Sequence, residues 1–516
     1  PPSVVTCWHK AGWSMRCLDS RNYFDLALVK LGAMTSHPRL PDPLPDSAAD
    51  EWVGRCRRDV EIVERSMVEL IRWWAEQELG AWPLTISSGA LTAWRTRWMM
   101  HEVRCPESEE QRRVERLGAY TGRTEALRLV DTSPPGPGRD RNTLIQRDLW
   151  NPTRSQVYHL LDATSFYGLM CAETPLPVKT VNRWREDIDG EMGCEHVSGD
   201  CCARVLIRHE SERFPLRTQQ RVIYPTGEYE TVLMGAELQR AIDCGAIARV
   251  REVIRYDLAP ILHDFAWGIW DQVDRANATG RPLVAHLGKT MLARIGGKFS
   301  QRGVEWKSRP TVVPDRPWMD WTSTSLTTGL TQHFRAVGWL VQERVDGDDP
   351  DHCWPAIFGF ITAAGRETLL RWWRTAGADH TFYLSTDALI VDDAGLGALE
   401  EAGFLHPTAM GFLRVKESSQ HLVIRGTGSY EIGAKRVHCG LPLAGREIAP
   451  GVWSSPYQQT FAGTLSRAGG DTLAVRHTIT SVPRRDPLGT IDQQGWIIPP
   501  RVVPAVGRAN VGPVAR

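Results

Sequence analysis

The stretch Phe382-Tyr383-Leu384-Ser385-Thr386-Asp387-Ala388-Leu389-Ile390-Val391 places apolar residues on both sides of a polar tip. This pattern predicts a β-hairpin with an aspartate at its turn. A second stretch, Asp162-Ala163-Thr164-Ser165-Phe166-Tyr167-Gly168, follows the strand-like residues 157–161 and carries another aspartate. Two carboxylates on neighbouring strands, directed to one point, can hold a pair of divalent metal ions that binds a triphosphate and activates an attacking hydroxyl. Because carboxylates beside strands are common, the prediction rests on both stretches and their surroundings.

Composition indicates an ordinary globular protein. The 516 residues are 42% hydrophobic and 24% charged, a composition and length that allow two to four domains. Lys+Arg and Asp+Glu both number 61, so net charge neither favours nor excludes nucleic-acid binding. The longest apolar run, residues 354–365, is shorter than the ~20 residues that span a bilayer. With no visible secretory signal and eleven scattered cysteines, we expect reduced thiols, a cytoplasmic location and no membrane partner.

The periodicity of apolar residues predicts a mixed helical and strand-containing chain. We expect a helix over 283–295 that Gly296-Gly297 terminates. Gly- and Pro-rich sequence predicts a flexible connection at 131–142 and a tail without core character from residue 500. The remaining predicted helices cover residues 51–74, 235–247, 260–277, 360–376 and 396–402.

Five segments, in this order along the chain, resemble motifs of family B DNA polymerases, nearest the protein-primed branch of phages and linear genetic elements. The segments are Tyr120-Thr121-Gly122-Arg123, Asp162-Ala163-Thr164-Ser165-Phe166-Tyr167, Lys289-Thr290-Met291-Leu292-Ala293-Arg294-Ile295-Gly296-Gly297-Lys298-Phe299, Thr362-Ala363-Ala364-Gly365-Arg366 and Tyr383-Leu384-Ser385-Thr386-Asp387-Ala388. Each motif alone is weakly specific. The order and spacing of all five, over residues 15–445, are together specific for the family.

The resemblance implies an α+β multidomain protein, a right-hand polymerase with palm, fingers and thumb and a remnant RNase H-like exonuclease domain. The implied division is an exonuclease-like domain at 1–112, a linker and first palm part at 113–173, an insertion of the protein-primed type at 174–262, fingers at 263–303, a second insertion at 304–354, palm at 355–450, and thumb with a C-terminal tail at 451–516.

The resemblance also implies a catalytic centre. Asp162 and Asp387 would ligate two Mg²⁺ ions, for which Mn²⁺ can substitute, and the carbonyl of Ala163 would add a ligand. Lys289 and Arg275 would bind the incoming nucleotide. Tyr167 would exclude a 2′-hydroxyl by its shape. The plainer alternatives are two ordinary aspartates at strand ends and a core tyrosine.

Six further residues are predicted to bind DNA: Tyr120, Arg294, Lys298, Thr362, Arg366 and Tyr430. For Arg294 and Lys298 this rests on their spacing of four residues, which directs them to the template or to the nucleotide. For Arg366 two roles stay open, contact with a DNA phosphate or bracing of the palm. For Arg294 and Lys298, the alternative is a solvated helix face.

The chain departs from the family pattern at several positions. Ser385 replaces the first aspartate of the second palm motif, and Gly428 replaces a lysine near the primer end. In the fingers motif, Ala293 and Gly296 replace an asparagine and a tyrosine. Each of these losses predicts weaker nucleotide binding or fidelity.

Proofreading and zinc binding are both predicted to be absent. Residues 1–18 contain no Asp or Glu, so Asp59 alone represents the exonuclease carboxylates and cannot assemble a metal site. A cluster of Cys194, His196, Cys201 and Cys202 has a spacing that fits no common zinc motif.

Two functional classes follow. The first is template-directed DNA synthesis by a bacterial, viral or mobile-element DNA polymerase that acts as a monomer on primer-template DNA and dNTP, with a terminal protein as the primer in the protein-primed mode. The second is a polymerase-fold protein that binds DNA or a terminal protein with weak or no catalysis. The retained trio Asp162, Lys289 and Asp387 favours the first.

Overall fold

The computed structural model describes residues 4–503, with breaks. Most of the predicted connection at 131–142, most of the predicted thumb and tail at 451–516, and the segment beyond residue 503 lie outside the described residues. The breaks are 9–13, 45, 107, 133–155, 212, 219–220, 311, 313–317, 326–330, 338, 439–445, 450–451, 458–475 and 482–488.

Helices of the described chain range from four to 28 residues. They are α1 Leu28–Met34, α2 Ala49–Glu76, α3 Ile86–Ala93, α4 Glu109–Gly118, α5 Phe166–Glu173, α6 Glu186–Asp189, α7 Gly235–Asp243, α8 His263–Ala278, α9 Pro282–Phe299, α10 Pro355–Ala376 and α11 Asp393–Glu401, with short 3₁₀ turns at Ser20–Asn22, Cys194–His196 and Ala378–His380 and a π turn at Trp94–Trp98.

Strands of the described chain are mostly short. They are β1 Val4–Trp8, β2 Ser14–Leu18, β3 Thr124–Ala126, β4 Val130–Asp131, β5 Tyr158–Ala163, β6 Leu176–Arg185, β7 Cys201–His209, β8 Leu216–Arg217, β9 Val222–Ile223, β10 Thr226–Met234, β11 Ile247–Ala259, β12 Gly303–Ser308, β13 Trp318–Thr324, β14 Thr331–Val337, β15 Leu340–Gly347, β16 Thr381–Ser385, β17 Ala388–Asp392, β18 Leu413–Ser419, β19 Leu422–Gly426, β20 Ser429–Ile432, β21 Lys435–His438, β22 Arg446–Ala449, β23 Val452–Tyr457, β24 Arg476–Ser481, β25 Thr490–Ile491, β26 Ile497–Ile498 and β27 Arg501–Val502.

A five-stranded antiparallel sheet, the central sheet, brings the two aspartate segments together. Its strand order is β18-β5-β17-β16-β3, and β16 and β17 form the predicted hairpin. Strand β5, which ends in the first aspartate segment, pairs with β17 on one side and with β18 on the other. Strand β17 has all five residues buried, because both faces of the sheet are covered. Its first four residues are apolar, the pattern expected of a strand in such a position, and the fifth is Asp392.

The long helices pack on the central sheet and on one another. Helix α10 packs against α4, α5, α7, α9 and α11, so it connects the central sheet with the helices on either side. Helices α8 and α9 pack together as an antiparallel pair joined by a short turn that contains Gly280 at φ +66°.

The predicted stop at Gly296-Gly297 is wrong, because α9 continues to Phe299. A Cβ atom at Gly296 would lie 3.4 Å from the Ile361 side chain of α10. Close packing against α10 therefore offsets the intrinsic cost of glycine in a helix, about 1 kcal/mol per residue. The continued helix places Arg294 and Lys298 four residues apart on one helix face.

Two further sheets lie mainly in the two segments predicted to be insertions, and one strand of the first, β27, comes from the predicted C-terminal segment. The first, with strand order β27-β10-β7-β11-β6, has its own apolar core, which includes Cys201, Val205 and Leu238. The second has the order β12-β15-β14-β13 and is antiparallel throughout.

The N-terminal part of the described chain is helical. Between residues 14 and 118 it contains α1–α4, the 3₁₀ and π turns and β2, which pairs with β1 in a hairpin. An RNase H-like domain is built on a central sheet, and the described residues of the segment 1–112 form no sheet beyond this hairpin. The remnant exonuclease fold therefore stays a prediction, because the described residues of this segment contain no central sheet.

Among these residues, no helix combines sufficient length with sufficient apolar character to cross a membrane.

Candidate active site

The turn of the β16–β17 hairpin carries Asp387 and is held from outside. Thr386 takes a left-handed conformation with φ +53°, and its backbone N–H donates to the carbonyl of Arg123 at 2.6 Å. A Cβ atom at Gly122 would lie 2.4 Å from the Thr386 side chain. The segment 120–123 therefore fixes the turn, and only glycine at position 122 permits this approach.

Asp162 and Asp387 lie beside each other because β5 pairs with β17. Asp162 is opposite Ala388 in the register, and the Ala163 N–H donates to the Asp387 carbonyl at 2.9 Å. Burial raises the pKa of the Asp387 carboxyl to about 6, and the negative charge of Asp162 adds to this shift. Two carboxylates close enough to perturb one another are typical of functional sites.

Lys416, which the sequence did not indicate as a site residue, lies next to the two aspartates. The Nζ atom of Lys416, on β18, lies 3.1 Å from Oδ1 of Asp162. Arg414, on the same strand, is directly opposite Asp162 in the register. The available signal was the sequence Arg414-Val415-Lys416 in a segment with strand character, but nothing local indicated that this strand pairs with β5.

The donor set fits a magnesium pair. Asp162, Asp387 and the carbonyl oxygen of Ala163 are hard oxygen ligands, and Mg²⁺ takes few protein ligands because it keeps several waters and binds substrate phosphates. Within the described ranges, no group of three or more His, Cys, Asp or Glu side chains is placed to hold a metal ion.

Tyr167 lies at the start of α5 between the aspartates and α10. Ser165, which precedes α5, has φ +47° and turns the chain from β5 into the helix. A Cβ atom at Gly365 would lie 3.5 Å from the Tyr167 ring and 3.1 Å from the Phe166 ring. Burial raises the pKa of Tyr167 to about 12; the positive charge of Arg366 opposes this shift and the charge of Asp387 adds to it. The phenol is therefore neutral and close to the carboxylate pair.

Arg366 is buried and makes its contacts within the protein. Its guanidinium is 2% exposed and pairs with Glu237, also 2% exposed, at 2.5 Å. It also donates to the carbonyl oxygens of Tyr120 and Thr121 at 2.9 Å. The sequence left two roles open for Arg366, contact with a DNA phosphate or bracing of the palm. These contacts favour bracing, since all three guanidinium nitrogens donate hydrogen bonds within the protein.

Two other residues predicted to contact DNA are also buried. The Tyr120 hydroxyl pairs with Thr231 Oγ1 at 2.8 Å, and Thr362 Oγ1 donates to the carbonyl of Phe358 at 3.0 Å within α10. Both residues are about 2% exposed, so this arrangement gives DNA no access to them. DNA contact by Tyr120 and Thr362 therefore stays a prediction that their burial does not support.

The predicted nucleotide-binding cations separate into one near the site and one outside it. Lys289 on α9 is half-buried, with its Nζ 5.7 Å from the centroid of the Trp270 ring. Burial lowers the pKa of its ammonium, and the positive charges of Arg414 and Lys416 lower it further. Arg275 is exposed and pairs with Asp271 at 2.9 Å, which places it on the surface of α8.

The predicted DNA-binding residues of α9 are engaged in local contacts. Arg294 pairs with Asp25 at 2.5 Å, and the Nζ of Lys298 donates to Gln301 at 2.5 Å. Both lie at the helix surface, which leaves the DNA role and the solvated-face alternative open.

Tyr430 lies on β20 behind the aspartate pair. Its ring centroid is 5.0 Å from that of Tyr383, and Gly428 donates its N–H to the Tyr383 hydroxyl at 2.6 Å. Burial raises the pKa of Tyr430 to about 12, with further contributions from Tyr383, Asp162 and Asp387. Tyr430 is thus near the carboxylates.

The fold of this chain resembles solved structures of one DNA polymerase over most of its length. The orthorhombic crystal form of phi29 DNA polymerase superimposes with a TM-score of 0.58 at 13% identity over 84% of this chain and 72% of that one. Phi29 DNA polymerase complexed with primer-template DNA and incoming nucleotide substrates gives 0.56 at 12% identity, over 85% and 75%. Its post-translocation binary complex with primer-template DNA gives 0.56 at 13% identity, over 83% and 69%.

The chain has a polymerase fold. No protein-family model matches its sequence, and no curated protein does so either. At 12–13% identity, the likeness concerns the path of the chain. The fold predicted from the ordered motifs is confirmed at this level.

Within the polymerase fold, the predicted exonuclease remnant is engaged in ion pairs. Asp59 pairs with Arg55, four residues earlier on α2, and with Arg39 at 3.2 Å. Asp42 pairs with the same two arginines, at 3.0 Å from Arg39 and 2.8 Å from Arg55, so the charges of both carboxylates are balanced by arginines.

The cysteine and histidine cluster is divided by the sheet of the first insertion. Cys201 and Cys202 are consecutive on β7 and are buried in separate apolar cores, because neighbouring strand residues point to opposite faces. Cys194 is exposed on a 3₁₀ turn. One metal ion cannot be ligated by both Cys201 and Cys202 in this geometry.

Proposed function

We propose that this protein catalyses template-directed DNA synthesis, the transfer of a nucleotide from dNTP to a primer 3′-hydroxyl, as a family B DNA polymerase of the protein-primed type. The observation that carries the proposal is the convergence of Asp162 and Asp387 at the pairing of β5 with β17. The polymerase fold supports it, and the phi29 structures were solved with primer-template DNA and with nucleotide substrates.

The residues of the chain have separate roles in this reaction. Asp162, Asp387 and the Ala163 carbonyl oxygen would hold two Mg²⁺ ions. When bound, such ions lower the pKa of the attacking hydroxyl and stabilise the leaving pyrophosphate. Lys289 supplies positive charge for the triphosphate, and the turn fixed by Arg123 and Gly122 keeps Asp387 in position.

Tyr167 selects the sugar in this proposal. Its neutral, half-buried ring lies between Gly365 and the carboxylate pair. An aromatic ring beneath the sugar excludes a 2′-hydroxyl by occupying its space, which is specificity by steric conflict.

The partners follow from the reaction. Primer-template DNA and dNTP are the substrates, a terminal protein is the proposed primer, and the protein acts as a monomer in the cytoplasm. Proofreading is absent in this proposal because Asp59 is balanced by arginines.

A second candidate function is binding of DNA or a terminal protein without synthesis. The pairing of Lys416 with Asp162 favours it, because this ammonium competes with a divalent ion for the carboxylate. The replacements at Ser385, Ala293, Gly296 and Gly428 point the same way.

Primer extension with Mg²⁺ and then with Mn²⁺ distinguishes the two candidates. We expect labelled primer to be extended by the wild-type chain, and extension to fall by at least about a thousandfold in Asp387→Ala, about 4 kcal/mol of transition-state stabilisation. The matched control is Asp379→Ala, since Asp379 is exposed near the other end of the same hairpin strand. Absence of product with either metal, together with retained DNA binding, would establish the second candidate.

A further inference from the structure

Strand β18 contains a β-bulge beside the candidate active site. Its register with β5 shifts between Val415 and Glu417, so that Lys416 is the additional residue. A bulge re-aims a side chain and is frequent next to active sites. Here it accompanies the contact of Lys416 with Asp162, whereas Arg414 remains in register opposite Asp162.

Arg414 and Lys416 lie beside Asp162, and both act on the pKa of a third cation, Lys289, from a separate part of the fold. Lys289 comes from α9, and Arg414 and Lys416 come from β18. Burial lowers the pKa of Lys289 most, and the positive charge of Arg414 lowers it further; Asp274 opposes this with a smaller effect, and Lys416 adds the smallest lowering. Three positive charges placed together repel one another, an arrangement that costs free energy unless an anion binds between them.

The carboxylates nearby do not satisfy all three cations. Lys416 has Asp162 as its ion-pair partner. The Nε of Arg414 is buried without a hydrogen-bond partner. A buried donor left unsatisfied costs about 1–3 kcal/mol, so an acceptor that reaches Arg414 would recover this energy.

We propose that Arg414, Lys416 and Lys289 form a polyphosphate cradle, with the triphosphate of the incoming nucleotide as its occupant. A triphosphate carries several negative charges and many acceptor oxygens on one short chain, which matches these three cations. Arginine binds phosphate through a two-pronged hydrogen-bond geometry and lysine as a point charge. The assignment of this occupant rests on the proposed function, because the cradle adjoins the aspartates where the transfer would occur.

Binding of sodium tripolyphosphate in EDTA tests the cradle without catalysis. By calorimetry we expect the wild-type chain to bind it, and Arg414→Gln and Lys416→Gln each to weaken binding by about tenfold, the loss of one charge-assisted contact. The control Lys179→Gln removes an exposed lysine from β6, far along the chain from the cradle, and we expect unchanged binding. Absence of wild-type binding, or binding by both variants as tight as the wild type, would overturn the proposal.

Steady-state primer extension separates the triphosphate from a DNA phosphate as the occupant. We expect Arg414→Gln to raise the KM for dNTP about tenfold and to leave the affinity for primer-template unchanged. A loss of primer-template affinity with an unchanged KM would assign the cations to DNA and overturn the cradle. Arg414→Lys, which keeps the charge and removes the two-pronged geometry, is expected to be intermediate.

The two proposals fail separately. A chain that binds tripolyphosphate but extends no primer would refute the proposed synthesis and retain the cradle. A chain that extends primers with an unchanged KM in both variants would retain the synthesis and refute the cradle.

Discussion

Asp387 and Arg366 belong to neighbouring sequence motifs, yet they lie in opposite environments. Asp387 is at a turn whose backbone is held by Arg123, and its carboxylate faces Asp162 with its pKa raised to about 6. Arg366 is 2% exposed, and Glu237 and two backbone carbonyls use its guanidinium. The negative charge of Asp387 lies beside a like charge, so a bound cation would stabilise it. The positive charge of Arg366 is already balanced by Glu237. Burial and the identity of the charge partner therefore decide which motif residues are available for chemistry.

The two environments also depend on each other. Arg366 binds the carbonyls of Tyr120 and Thr121, and the next two residues, Gly122 and Arg123, hold the turn of Asp387. The brace thus positions the site from behind through the segment 120–123.

Removal of the Arg366 side chain tests this contrast, and we expect it to have the largest effect on the free energy of unfolding. We expect Arg366→Ala to lower the free energy of unfolding by about 3–5 kcal/mol, because Glu237 is left as an uncompensated buried charge. Chemical denaturation measures this loss. The double variant Arg366→Met with Glu237→Leu removes both charges and is expected to recover part of the loss. Unchanged stability in Arg366→Ala would show that the guanidinium is not a brace.

At Asp387, unlike at Arg366, the charged form of the side chain destabilises the folded protein, because its pKa is raised. The folded pKa of about 6 lies above the ordinary value of 3.8, so the folded protein binds this proton more tightly than the unfolded chain does. The contribution of Asp387 to stability is therefore greatest below about pH 4 and is lost as the pH rises to about 6. The loss amounts to about 3 kcal/mol for two pKa units.

Comparison of Asp387→Asn with the wild type in EDTA isolates this contribution. We expect the variant to be more stable than the wild type above pH 6 and to lose this advantage by pH 4, as measured by denaturation at each pH. A difference between the two proteins that does not change with pH would contradict the raised pKa.

The sequence predicted the elements that depend on local pattern. The hairpin of residues 382–391 and the helix over 51–74 follow from periodicity, and both are confirmed, at Thr381–Asp392 and Ala49–Glu76. The polymerase fold followed from the order of the motifs. These features are readable because each is encoded by residues adjacent in the chain.

The features that the sequence did not reveal depend on distant pairing. The burial of Arg366 requires Glu237, 129 residues away. The position of Lys416 requires the pairing of β18 with β5 and a bulge between them. The continuation of α9 through Gly296 requires packing against Ile361 of α10. Local propensity predicts none of these contacts, because tertiary packing overrides it.

Tyr167 lies where the two environments meet, since both Asp387 and Arg366 act on its pKa. If it selects the sugar, Tyr167→Val opens space beneath the nucleotide. We then expect discrimination between dNTP and rNTP to fall about 10- to 100-fold, or about 1.4–2.8 kcal/mol. Tyr167→Phe keeps the ring and is expected to retain discrimination. If Tyr167 is instead only a core residue, Tyr167→Val would lower the free energy of unfolding by several kcal/mol and leave discrimination unchanged. The ratio of kcat/KM for dNTP to kcat/KM for rNTP, measured together with a denaturation curve for each variant, therefore shows whether Tyr167 selects the sugar or is only a core residue.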